Sequence, residues 1–114
     1  MYTLYAYQLQ KFAAARSSLM LPFADESEAI AGAFNSCDAG LKTLDRNLIT
    51  DGAMLRRLRE IDDALDITQV GDLHGYGMWR LNAKKMTEEE KRNFSRNVDE
   101  CANWFARAHR SGPG

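Results

Sequence analysis

Residues 30–48 read IAGAFNSCDAGLKTLDRNL, and Ile30, Phe34, Cys37, Leu41, Leu44 and Leu48 follow one another at alternating steps of four and three. That spacing predicts a helix with one continuous apolar seam. An isolated amphipathic helix is marginal in water, so the seam has to be covered by other helices. Beside it runs a stripe of small residues, Ala29, Ala33, Ser36 and Gly40. Gly32 and Gly40 each cost about 1 kcal/mol of helix propensity relative to alanine. Close crossing of another helix accounts for that cost; a ligand lying against the backbone has the same requirement. Asp25 and Glu28 have the spacing of a capping box at the start of this helix, which is expected to end near Ile49.

Downstream, Asp51 or Thr50 can cap a shorter helix reaching about Asp66, with Leu55, Leu58, Ile61 and Leu65 on its apolar face. The short turn before it predicts that the two helices are antiparallel neighbours. Its polar face has Arg56, Arg57 and Arg59 first, then Glu60, Asp62, Asp63 and Asp66, the reverse of what the helix dipole favours. The arginines are therefore expected to face a partner or a neighbouring helix.

Upstream, Tyr2, Tyr5, Leu9 and Phe12 recur at helical spacing before an alanine run, predicting a helix over residues 3–18. The tyrosines are expected to pack with their hydroxyls at the rim rather than to form an exposed stacking surface. Pro22 ends the connection that follows. Its apolar residues Leu19, Met20, Leu21 and Phe23 either cap one end of the core or form a patch for a partner. At the other end of the chain, Thr87 and Glu90 make a capping box opening a long helix to about His109. Phe94, Val98, Cys101, Phe105 and Ala108 form its seam, widened by Trp104.

Residues 67–86 are the least regular part. Gly71, Gly75 and Gly77 interrupt the pattern around Leu73, His74, Tyr76, Met78 and Trp79, predicting a structured loop or short hairpin. Its Gly-Tyr-Gly lacks the lysine and hydroxyl residue of a phosphate-binding loop. Large aromatics on a loop often make a binding surface, so His74, Tyr76, Trp79 and Arg80 are the candidate binding residues. The competing reading has Trp79 plugging the open end of the bundle.

The 114 residues suffice for one domain with its own core, residues 1–110, followed by a short disordered tail over 111–114. Apolar content of 45%, charged content of 27% and a net charge of −1 are ordinary for a soluble protein. The charge is uneven, +2 over residues 1–20, −6 over 21–79 and +3 over 80–114, which suits ends packing over the centre or two copies meeting head to tail. No apolar run approaches the roughly 20 residues that span a bilayer, and the start does not resemble a signal peptide. Cys37 and Cys101 fall on apolar faces and are read as free thiols of a reducing cytoplasm, with a disulfide between facing helices as the alternative.

Catalytic patterns are sparse. The 2 histidines, His74 and His109, form no paired Glu-x-x-His motif, and no cysteine–histidine spacing suggests zinc. Asp62, Asp63 and Asp66 with Asp99 or Glu100 could gather around a metal, but the repeated Glu-x-x-Glu of helical nucleotide pyrophosphohydrolases is absent. Neither histidine has an arginine at the spacing found in small helical ribonucleases. Lys84, Lys85, Lys91, Arg92 and Arg96 are interrupted by Glu88, Glu89 and Glu90, and the pI of about 6.1 lies below that of dedicated nucleic-acid binders.

The expectation is an all-α, four-helix bundle-like domain with an irregular glycine-rich loop or short hairpin before the last helix. No catalytic residue, metal or cofactor is assigned. The expected role is a small cytoplasmic protein-interaction module, an adaptor, regulator or inhibitor, acting on a protein partner or as a homodimer through the long central helices. The alternative is a small ligand- or metal-binding helical enzyme with its pocket near residues 71–79.

Overall fold

The computed structural model describes residues 5–20, 26–66 and 76–111, the last segment without the side chains of residues 76, 77 and 109–111. Among them the fold is all-helical: α1 (Ala6–Leu19), α2 (Glu26–Lys42), a single 3₁₀ turn (Arg46–Leu48), α3 (Gly52–Ala64), α4 (Tyr76–Lys85) and α5 (Glu88–Ser111). Helix α1 packs on α2 and α5, α4 on α2, and α3 on α5.

α1 starts later than its tyrosine spacing predicts. Tyr5 stands just before it with a left-handed φ of 65°, unusual for a bulky residue. Its ring is buried against Trp104 and Phe105, with centroids 5.5 and 5.4 Å away, and these contacts hold the strained residue in place. Phe12 and Ala15 carry the buried face onward. Tyr7 lies outside it, 44% exposed, with the Lys11 ammonium 5.3 Å from its ring centre.

The small-residue stripe of α2 does serve a close crossing. A Cβ placed on Gly40 would lie 3.1 Å from Lys11 Cβ and 3.3 Å from Phe12 Cε2, so glycine lets α1 approach to backbone distance. Gln8, buried at the same crossing, donates from Nε2 to the Gly40 carbonyl at 3.1 Å and to Thr43 Oγ1 at 3.0 Å. The last turn of α2 is thereby capped from α1.

That cap marks where α2 stops, seven residues before its predicted end at Ile49. The apolar seam is buried at Ile30, Phe34 and Cys37, half-buried at Leu41 and Leu44, and 56% exposed at Leu48. Asp45 breaks the helix by taking the Asn47 N–H at 3.0 Å, a local bond that competes with helical pairing. Arg46 then reaches the Asp62 carboxylate on α3 with two bonds of 2.6 and 2.8 Å. Ile49, 4% exposed, enters the core where Leu48 was expected.

Asp51 caps α3 as expected, accepting from the Ala53 and Met54 N–H groups at 3.0 and 3.2 Å. The expected neighbour of α3 is replaced: its buried face, Met54, Leu58 and Ile61, packs on α5 rather than on α2. Five residues of 3₁₀ turn and extended chain around Ile49 redirect it. A tight helix–turn–helix would have kept α2 and α3 antiparallel.

Residues 76–85, expected in a loop or hairpin, form α4. Gly77 falls in the first turn, where a glycine interrupts little. Trp79 packs on Phe34 with centroids 5.8 Å apart, Ala83 is buried, and Asn82 Nδ2 caps α3 by donating to the Ala64 carbonyl at 2.6 Å. The expectations for residues 67–75, like those for Tyr2, Leu21, Phe23 and Asp25, lie outside the described residues, and of the tail expected over 111–114 Ser111 is instead the last residue of α5 while the rest lies outside them.

α5 opens on the predicted capping box, with Glu90 N–H to Thr87 Oγ1 at 3.1 Å and Thr87 N–H to Glu90 Oε1 at 2.8 Å. Phe94, Val98, Cys101, Ala102 and Phe105 are buried along it. Phe94 meets Phe34 at 4.8 Å and Phe105 meets Phe12 at 5.2 Å, so this helix joins α1 and α2 to α3. Cys37 and Cys101 are both free and buried. Burial above all pushes both thiols up, Cys101 to about 12 and Cys37 further, so both stay protonated and inert.

Candidate functional site

Helices α3 and α5 run antiparallel, fastened at two points by side-chain bonds. At one end Trp104 Nε1 donates to Asp51 Oδ2 at 3.2 Å; about two turns along, Asn97 Nδ2 donates to Glu60 Oε1 at 3.1 Å. Their apolar stripes close the inner side of this pairing. On the outer side three clefts lie along the two helices, neighbouring ones sharing lining residues.

The middle cleft has a volume of about 230 Å³, with Arg56 and Arg57 on the α3 wall and Arg96 on the α5 wall. Asn93 and Asn97 add amides from α5, and Glu60 is the acid of the lining. The helical repeat places these groups: 53, 56, 57 and 60 share one edge of α3, while 93, 96, 97 and 100 share one edge of α5. Arg57 is half-buried and reaches across to α5, where its charge opposes the rise that burial imposes on the Cys101 thiol. Among the described residues, Arg56, Arg57 and Arg96 make no salt bridge.

A cleft of about 290 Å³ continues toward α4, sharing Glu60, Asn93 and Asn97 and adding Phe94, Met86 and Asn82. A smaller one of about 190 Å³ continues toward Trp104, sharing Arg57 and adding Arg107 and Glu100. At that end Asp51 stays ionised well into acid. The Met54 N–H is the main cause, helped by the Trp104 and Ala53 N–H groups and the charge of Arg107.

The residues singled out around the glycine-rich stretch are not gathered here. His74 lies outside the described residues, and Tyr76 opens α4 with its side chain outside them. Trp79 is half-buried on Phe34, while Arg80 pairs with Glu28 Oε1 at 2.6 Å. Neither lines the three clefts. The acids proposed for a metal are also separated, Asp62 being held by Arg46 and Asp99 by Arg16. Among the described residues no group of three or more His, Cys, Asp or Glu side chains could hold a metal ion. Among the helices described, none is long and apolar enough to cross a membrane.

Two of the cleft arginines had a sequence signal, the inverted charge order of α3. Asn97 had one that went unread. It lies three residues after Phe94 and four before Cys101, inside the apolar seam, and a polar residue at such a position must be satisfied or sit beside a cleft. Comparison with protein families, with curated proteins and with solved structures finds no match for this chain.

Proposed function

We propose that this chain is a small protein-interaction module that receives an acidic segment of a partner protein along the outer side of α3 and α5. The observation behind this reading is the middle cleft, where Arg56, Arg57 and Arg96 face one another across two helices. Several other basic residues have close partners, Arg16 with Asp99, Lys42 with Asp38, Arg46 with Asp62, Arg80 with Glu28 and Lys91 with Glu26, and what sets Arg56, Arg57 and Arg96 apart is that the three share one cleft. Like charges gathered in a cleft raise the local potential and destabilise the free fold, and an anionic ligand relieves that repulsion. Guanidinium is also the group best suited to bidentate recognition of a carboxylate. Trp104 at one end and Phe94 and Met86 at the other give the segment apolar footing. Two buried free thiols suit work in a reducing compartment such as the cytoplasm.

The reading is tested by titrating a fluorescein-labelled peptide with a Glu-Glu-Glu core against the full chain and following anisotropy at low and moderate salt. Saturable binding that weakens with salt and is lost in the Arg56→Gln, Arg96→Gln double variant supports it. Equal binding by that variant, or no binding to the wild type, rejects it. A concentration-dependent dimer in light scattering that the variant abolishes would make a second copy of the chain the occupant instead.

A further inference from the structure

We infer that the anion the middle cleft is built for is a phosphoryl group on a serine or threonine of the partner segment. This rests on the α3–α5 face being the interaction surface. The molecule contains its own standard for carboxylate recognition: one guanidinium, that of Arg46, satisfies the whole Asp62 carboxylate with bonds of 2.6 and 2.8 Å. One arginine per carboxylate is therefore enough in this fold. The cleft presents three, Arg56 and Arg57 from one wall and Arg96 from the other. A planar carboxylate has two oxygens whose acceptor sites lie in one plane, which suits one forked bond better than several from two walls. The three terminal oxygens of a phosphoryl group diverge tetrahedrally and suit bonds from both walls.

Charge leads to the same choice. Arg56, Arg57 and Arg96 against Glu60 leave a surplus of two positive charges among the lining residues. A phosphomonoester carries about −1.5 to −2 near neutral pH and a carboxylate only −1, so the former matches the surplus of the middle cleft itself, while the bordering Asp63, Lys85 and Glu90 on one side and Asp51, Glu100 and Arg107 on the other each add one net negative charge. Glu60 has a further part. Its carboxylate accepts from the buried Asn97 amide at 3.1 Å and stays in the wall, where it repels a bound anion, a phosphomonoester more than a carboxylate.

The groups facing the cleft are Arg56, Arg57 and Glu60 from α3 and Arg96 from α5, with the neutral Asn93 and Asn97 between them. Bordering them are Asp63, Lys85 and Glu90 on one side and Asp51, Glu100 and Arg107 on the other. Among the described residues no histidine lines any of the three clefts. A change in affinity between about pH 7.5 and 5.5 would then come from the ligand, whose second phosphoryl ionisation lies near pH 6.

The experiment measures anisotropy of otherwise identical labelled peptides with Glu-pSer-Glu, Glu-Glu-Glu and Glu-Ser-Glu cores on the full chain. The phosphoserine core is expected to bind about tenfold tighter than the glutamate core, the yield of one additional charge-assisted bond. Lowering the pH to about 5.5 should weaken the phosphoserine core several-fold and leave the glutamate core unchanged. Glu60→Gln should tighten the phosphoserine core, and Arg96→Lys, which keeps the charge but loses the fork, should weaken it less than Arg96→Gln. Arg96 is exposed, so these two variants read the site even if the half-buried Arg57 proves necessary for folding. Equal affinity for phosphoserine and glutamate cores, or no pH effect, overturns the inference and leaves the acidic-segment reading standing. No binding by any core overturns both. Complete displacement by equimolar inorganic phosphate, or by a single-stranded oligonucleotide, assigns the cleft to a free anion or a nucleic acid and overturns it too.

Discussion

At the α1–α2 crossing the backbones meet so closely that a single added methyl at Gly40 would press on Lys11 and Phe12, and the polar atoms there are consumed by Gln8. Along α3–α5 the helices touch through their apolar stripes but leave a cleft on the outer side, lined by arginines that make no salt bridge among the described residues. Both contacts bury apolar residues. The first is made of small residues and finished with internal hydrogen bonds, so it has nothing left to offer a ligand. The second retains unbalanced charge at a concave surface, a feature that lowers the stability of the free chain and favours binding.

The comparison can be broken most violently from the core the two contacts share. Phe105 is fully buried among Tyr5, Phe12 and Trp104, so Phe105→Ala should cost about 3–5 kcal/mol in urea unfolding and release the strained turn at Tyr5. A loss much below that would mean the aromatic cluster is not packed as described. Next, Gly40→Leu should cost about 1–3 kcal/mol or more, because the clash falls on Lys11 Cβ, which cannot move without its backbone. A substitution of similar size at Gly52, where an added Cβ meets nothing within 4 Å, should leave the midpoint far less changed.

On the α3–α5 side the expected direction reverses. Arg56→Gln with Arg96→Gln should change stability by no more than about 0.5 kcal/mol, and toward greater stability, while removing peptide binding. Clear destabilisation would mean the arginines hold the helices together. The smallest effect concerns acid. Asp51 has its carboxyl held below the ordinary 3.8, first by the Met54 N–H, so its contribution is complete above that value and is lost as pH falls through the lowered one. Asp51→Asn, which can still cap, should therefore be slightly less stable than the wild type near neutrality and should converge with it at low pH, as followed by urea midpoints.

How much of this was legible depends on the reach of each interaction. The cap at Asp51 and the capping box at Thr87 are readable because donor and acceptor lie within three residues. So is the purpose of Gly40, since a small-residue stripe anticipates close crossing. The end of α2 is not. Its seam continues in spacing to Leu48, but Arg46 finds its partner at Asp62 on another helix and Gln8 caps the last turn from α1, neither of which a local pattern can show. Helix α4 is hidden in the sequence because Gly71, Gly75 and Gly77 interrupt the pattern alike, although only Gly77 falls inside it and there in the first turn. At the candidate site, the inverted charge order of α3 pointed to Arg56 and Arg57. Arg96 had been grouped with the lysines before it, and only the antiparallel pairing of α3 with α5 brings it opposite them.

The most direct test is to record the backbone and arginine side-chain NH signals of the isotopically labelled chain while the acidic peptide is added. The account predicts saturable shifts at Arg56, Arg57, Glu60, Asn93, Arg96 and Asn97, with Lys11, Phe12 and Gly40 at the closed crossing unmoved. Shifts centred instead on Trp79 and Arg80, with the α3–α5 arginines unchanged, would contradict it and return the binding surface to the chain around the glycine-rich stretch.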